Sequence, residues 1–300
     1  MTANTAPKPT KEDLKKKAEG WLNGEGYPLE MRVARALREA GFLNVNQSET
    51  YLDPVEEKWR EIDITAAEFH VPNVAGETVP FNESFIVRLV LECTYSGTDP
   101  WIVFPRTPNA LAEDYAKVTG RLWSQAARWI PRAIMDEVQL GNPIPSLLEF
   151  GTPVAYGVVR TGDPRSEGEE IPKASHARGK VPANTKVAQV VSAAQALQGT
   201  EAAVWSLAIP AVVVDAQLFS ARLQENGRAA IEETGGFATL LQARHGAETP
   251  NLAVHLVTAE AFPDFAKAMR TGILEFFRRT STLVPAARKI GNDEVMRGLG

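Results

Sequence analysis

From Ser84 to Tyr95 the chain alternates without a break. Phe85, Val87, Leu89, Leu91, Cys93 and Tyr95 fall on one face of an extended segment, and Ser84, Ile86, Arg88, Val90, Glu92 and Thr94 fall on the other. Such a strand needs neighbours for its backbone groups and a packed layer over its apolar face, so it commits the chain to a sheet with something covering it. The second face is mixed: it carries Arg88, Glu92 and Thr94 among Ile86 and Val90.

The segments around it supply both neighbours and cover. Pro28 opens a helix with Leu29, Val33, Leu37 and Ala40 at helical spacing and Gly41 as its stop. Phe42–Tyr51 and Trp59–Phe69, parted by Asp53-Pro54 and charged residues, read as two adjoining strands. Trp101–Phe104, Val154–Arg160, the run Pro210–Val214 inside Val204–Phe219, and Leu252–Thr258 read as further strands. Lys186–Leu197 and Pro263–Phe277 read as helices, and Ala110 to about Leu140 as a helical region interrupted at Gly120 and Pro131. Thr161–Asn184 is polar, without an apolar period, and reads as a long loop. Residues 1–20, rich in Thr, Pro and Lys, read as a flexible N-terminal tail or a solvated first turn. These elements predict an α/β fold: a mixed central sheet flanked by helices, in one domain over 21–300 with a helical insertion at about 110–150.

Size and composition agree with that. A chain of 300 residues can bury roughly three quarters of its unfolded surface, so it needs neither disulfides nor a structural metal for its core. The lone Cys93 has no intramolecular partner and no zinc site of the Cys or Cys/His kind can be written, which predicts a reducing, cytoplasmic setting. No stretch approaches the roughly 18 uninterrupted apolar residues of a membrane helix, and the N-terminus lacks an apolar secretory segment, so no membrane role is predicted. With 37 acids against 32 bases the net charge is −5, and global charge gives no sign of a nucleic-acid partner.

Three acids stand out against this background. In Arg60-Glu61-Ile62-Asp63-Ile64 the isoleucines take the core-facing phase and Asp63 the opposite one. Glu92 lies on the mixed face of its own strand. If the two strands pair, their carboxylates converge on a hard cation, with magnesium the first expectation. Glu30 has Ala34 and Leu37 at plus four and plus seven, so it sits toward the apolar side of its helix, where an acid must be paired, protonated or liganding through water.

This order, a helix with Glu, a strand, a strand with Asp and a strand with Glu, resembles the core of the PD-(D/E)xK or restriction-endonuclease-like nuclease superfamily. The strings that carry the resemblance are Gly26-Tyr27-Pro28-Leu29-Glu30, Glu61-Ile62-Asp63, and Leu91-Glu92-Cys93-Thr94 followed by Pro100-Trp101-Ile102-Val103-Phe104. It covers about residues 26–105 well and the later strands and helix loosely. The resemblance implies a magnesium- or manganese-dependent endonuclease acting on nucleic acid, DNA foremost, in bacterial defence or DNA processing, with a protein partner from a defence system also implied. It makes Asp63 and Glu92 metal ligands, lets the carbonyl of Cys93 complete the protein shell, and gives Glu30 a role through water or a second ion.

Thr94 departs from the family pattern. It stands where the family has a lysine, and a hydroxyl can donate a hydrogen bond but brings no positive charge. Losing one preorganised donor costs about a hundredfold in rate, so Thr94 makes the site degenerate and by itself does not decide between a weak enzyme and a dead one. Arg88 and Lys186 are the two candidate substitutes. Arg88 shares the face of Glu92 but lies roughly 13 Å away along the strand, and Lys186 opens a helix able to pack on the sheet. A catalytically silent nuclease-like domain that binds nucleic acid or protein is the alternative reading.

The remaining singled-out residues have plainer roles. The Cys93 side chain alternates onto the apolar face and reads as a small hydrophobe. His70, His176, His245 and His255 share no metal-ligand spacing. The six tryptophans read as packing residues, with base stacking open to one near the cleft. Arg165, Lys173, Arg178 and Lys180 read as a solvated loop.

Overall fold

The computed structural model describes residues 9–24, 27–54, 56–71, 85–105, 154–161, 163, 182–199, 205–242 and 252–280. The expected helical insertion at 110–150, most of the long loop with Arg165, Lys173, Arg178 and Lys180, and both His176 and His245 lie outside the described residues.

Helix α1 (Lys11–Gly24) occupies much of the stretch expected to be a tail. Its start is capped locally: Asp13 accepts from both the amide and the hydroxyl of Thr10, at 3.0 and 2.6 Å, and the Asp13 amide donates back to Thr10 Oγ1 at 3.2 Å. That reciprocal cap is what the residue-type reading overlooked. The expectation of solvation holds, because every α1 residue from 11 to 23 is exposed.

Helix α2 (Tyr27–Glu39) buries Leu29, Val33, Ala34 and Leu37, one stripe at helical spacing. It ends at Gly41, whose φ of 98° favours a residue without a Cβ, and the Phe42 amide turns back to the Leu37 carbonyl at 3.0 Å. A Cβ on Gly41 would also meet the Arg270 guanidinium at 2.9 Å, and that arginine donates to Glu68 at 3.3 Å. Gly41→Ala is therefore expected to cost about 2 kcal/mol from backbone strain together with the disturbed ion pair. Urea unfolding of the variant against the parent protein measures it, and an unchanged midpoint would contradict the account.

The strands are β1 (Asn44–Leu52), β2 (Trp59–His70), β3 (Phe85–Tyr95), β4 (Trp101–Pro105), β5 (Val154–Arg160), β6 (Trp205–Asp215), β7 (Leu218–Leu223), β8 (Ala229–Glu233), β9 (Phe237–Gln242) and β10 (Leu252–Thr258). They form one mixed sheet in the order β1-β2-β3-β6-β10-β9-β5-β4-β7-β8. β1, β2 and β3 run antiparallel in sequence order, whereas β3 with β6 and β6 with β10 are parallel. The centre reads as parallel strands should: from Leu207 to Val214 every residue of β6 is buried. Pro210 sits within that run, and the ladder to β10 begins one residue later, at Ala211, after the position that has no N–H to give.

Helices α3 (Ala183–Gly199) and α4 (Phe262–Thr280) cover opposite faces. Arg88 and Glu92, on one face of β3, bond to α3; Glu68, which stands opposite Val87 on the other face, bonds to Arg270 of α4. α2 packs beside α4. Buried Leu29, Leu37, Ile62, Ile64, Leu89, Leu91, Phe262 and Phe265 form the centre of the core, and Cys93 packs against it as expected.

Apolar patterning in the sequence does not single out β7, β8 or β9. Val204–Phe219 is two strands, since β6 stops at Asp215 and β7 starts at Leu218. β8 is almost entirely exposed and so has no apolar alternation to betray it. Among the tryptophans, Trp101 is fully buried with its indole N–H donating to Ser96 Oγ at 2.8 Å, but Trp21 and Trp59 are exposed and do not pack in the core. His255 is a core residue within 3.3 Å of Thr239 Oγ1, its pKa pushed down to about 4 by burial, and His70 stacks on Phe277.

Candidate active site

The sheet register brings two of the acids together. The β2–β3 ladder closes at Ile64 and Leu91, so Asp63 and Glu92 are the next residue on each strand and fall on one face, close enough that the Asp63 charge raises Glu92. The Asp63 carboxylate accepts the Cys93 amide through Oδ2 at 2.7 Å. Thr94 follows Glu92 on the same face, and it is buried. On the outer side of β2 the ladder runs from Asn44 to Gln47 and resumes at Glu49; Ser48, with φ at 56°, stands at the skipped position opposite Asp63.

The decisive addition comes from α3. Lys186 reaches down to Glu92, Nζ to Oε2 at 2.7 Å, with the glutamate side chain 3% and the lysine 18% exposed. Arg88, the other candidate substitute, turns away: it donates to the carbonyl of Leu197, near the far end of the same helix, at 3.2 Å. Of the two cations considered from sequence, the structure brings only Lys186 to the acids.

Glu30, in the first turn of α2, makes no side-chain hydrogen bond among the described residues but is coupled to the cluster by charge. Burial first, then the carboxylates of Asp63 and Glu61, push its pKa up to about 7 against the pull of Lys186. Glu92 also rises to about 7, through burial, then repulsion by Asp63, with Lys186 opposing. Asp63 is raised chiefly by burial, with Lys186 and the Cys93 amide opposing. Burial works against the Lys186 ammonium, yet Glu92 and Asp63 hold its pKa above the ordinary value.

The arithmetic of charge follows. Leaving aside Glu61, which is exposed, the three carboxylates of Glu30, Asp63 and Glu92 face one ammonium, so the fully ionised cluster carries two unmatched negative charges, the amount one divalent cation balances. Each hydrogen bond described uses one oxygen of Asp63 or of Glu92, and a carboxylate has a second. Among the described residues no three His, Cys, Asp or Glu side chains are grouped to close around a metal. Magnesium does not require such a group, because it keeps several waters and uses one or two carboxylates. The donor set fits that ion.

A cavity of about 950 Å³ opens at the C-terminal ends of β3, β6 and β10. Asp215, Glu233, Glu260 and Asp264 line it, and Asp215 pairs with Arg32 of α2 at 2.6 Å. Four acids on its wall make it a poor berth for phosphate. No helix among the described residues is long and apolar enough to cross a membrane.

Comparison with protein-family models, with curated proteins and with solved structures finds no match to this chain.

Proposed function

We propose that the chain is a metal-dependent nuclease that hydrolyses phosphodiester bonds of nucleic acid, DNA foremost, on a restriction-endonuclease-like core. The order α2-β1-β2-β3-α3-β6, with β3 and β6 parallel neighbours, supports the core. One observation carries the function: a half-buried lysine from α3 meets Glu92, with the charge of Asp63 beside it, where Thr94 leaves the site without a positive charge.

Asp63 and Glu92 would hold a magnesium or manganese ion, with the Cys93 carbonyl beside them. When bound, the ion supplies an acidified water and positive charge opposite the scissile phosphate. Glu30, its pKa near neutrality, is suited to accept a proton from a water at the edge of the site. Lys186 holds Glu92 in place and offers its remaining N–H donors to the developing negative charge, the work that a lysine at 94 would do. A bacterial defence or DNA-processing role, alone or with a protein partner, fits this chemistry.

The second reading is a silent nuclease-like domain that binds nucleic acid or protein, and buried Thr94 favours it. Supercoiled plasmid and single-stranded DNA incubated with purified protein separate the two. The enzyme nicks or linearises DNA with magnesium or manganese and stops when EDTA removes the ion. Binding without cleavage under either metal would reject the nuclease and leave the silent domain.

A further inference from the structure

Lys186 sits in the first turn of α3, and that turn is anchored from elsewhere. The residue just before the helix is Pro182, which has no side-chain acceptor for the free amides of a helix start. The acceptor comes instead from Asp163, 20 positions before Ala183: its Oδ2 takes the Ala183 amide at 3.1 Å and the Arg160 amide at 3.1 Å. Its Oδ1 lies 3.0 Å from a terminal nitrogen of Arg160, whose side chain is 2% exposed. Arg160 closes β5, which pairs with β4 and β9. The helix start is thus tied to the half of the sheet that carries none of the three acids.

Helix α3 has no other side-chain cap in its first turn among the described residues. A shift of its start by an ångström would carry Nζ out of its 2.7 Å contact with Glu92. The Arg160–Asp163 pair is placed to oppose that shift, because the Arg160 amide bonds the carboxylate and the nearly inaccessible guanidinium attracts it by charge, while the same carboxylate accepts from the start of the helix.

We propose that Asp163, held by Arg160, is a positioning residue for Lys186, setting the first turn of α3 so that the ammonium lands on Glu92. This rests on the proposed role of Lys186 in the nuclease site. Asp163→Ala alone would strand the buried Arg160 charge, so the variant to use pairs it with Arg160→Met, which removes the cap without leaving an unpaired cation.

The readout is the acetylation rate of each lysine by an N-hydroxysuccinimide ester, resolved by mass spectrometry on the full chain. In the parent protein Lys186 is expected to react far more slowly than exposed Lys58. In Arg160→Met with Asp163→Ala it is expected to react about tenfold faster, while Lys58 is unchanged and circular dichroism shows a folded protein. Arg160→Met with Asp163→Asn, which restores an acceptor for the Ala183 amide without the charge, is expected to restore the protection. Equal protection of Lys186 in the uncapped variant and the parent would overturn the inference and leave the nuclease reading intact. Acetylation of Lys186 as fast as that of Lys58 in the parent would remove the contact with Glu92, and the nuclease reading and this inference would fall together.

Discussion

Asp63→Asn is expected to abolish metal-dependent cleavage while leaving the protein at least as stable as its parent. The amide keeps an oxygen for the Cys93 N–H, now at 2.7 Å from Oδ2, and removes only the charge. The ion then loses one of its two proposed carboxylates, and several kcal/mol of lost charge stabilisation corresponds to about a thousandfold in rate. Stability moves the other way. The Asp63 charge raises both Glu30 and Glu92, so its neutralisation relieves two acids against the one attraction to Lys186 that it gives up, and a small gain in stability at pH 8 is expected. Plasmid nicking and urea unfolding on one preparation test both halves. An Asp63→Asn protein that cleaves at the parental rate would end the metal-site proposal; one that is inactive because it is unfolded would contradict the charge account.

Lys186→Met is expected to produce the reverse pattern, a protein both slower and less stable. Removing the one ammonium that meets Glu92 among the described residues leaves a buried carboxylate uncompensated, an expected loss of about 3 kcal/mol above neutrality, and cleavage is expected to fall about a hundredfold. The loss depends on pH in a definite direction. Glu92 moves from an ordinary 4.5 to about 7 in the folded protein, so between those values the native state holds protons that the unfolded chain has released. The parent's stability therefore falls as pH rises across that interval, by on the order of 2 kcal/mol. In Lys186→Met the opposition of the ammonium is gone and Glu92 titrates higher still, so the fall is steeper and the variant approaches its parent near pH 5. Urea midpoints at pH 5 and pH 8 give the comparison. An equal penalty at both would show that the lysine acts through packing rather than charge.

Those acids were readable in the sequence because each sat against a regular pattern. Alternation from Phe85 to Tyr95 fixed the phase of Glu92, the isoleucines on either side fixed Asp63, and the stripe of Leu29, Val33 and Leu37 fixed Glu30. β2 pairs with β3 up to Ile64 and Leu91, which places Asp63 and Glu92 just beyond the ladder on one face. Lys186 carried a weaker signal. It was one of two substitutes for the charge missing at Thr94, and only the seating of α3 on the face of Arg88 and Glu92 separates them. Asp163 gave no signal, because the contact joining it to Ala183 is long-range and the intervening stretch is polar and aperiodic. The length of α1 is hidden in the sequence for the opposite reason: its cap is local, but with no buried face it has no apolar period to find.

The parallel pairing of β3 with β6 has a consequence in time. Phe85 lies beside Trp205, a separation of 120 positions (205 − 85), whereas Glu30, Asp63 and Glu92 all arrive on one stretch of successive neighbours from α2 to β3. Local contacts close before distant ones because shorter loops lose less entropy. During folding the three acids are gathered first, and the lysine that balances one of them docks later with α3. The gathering of the acids thus works against repulsion that protons relieve, whereas the docking of the lysine draws on the charge that protons would remove, so mild acid is expected to speed the first stage of refolding and slow the last.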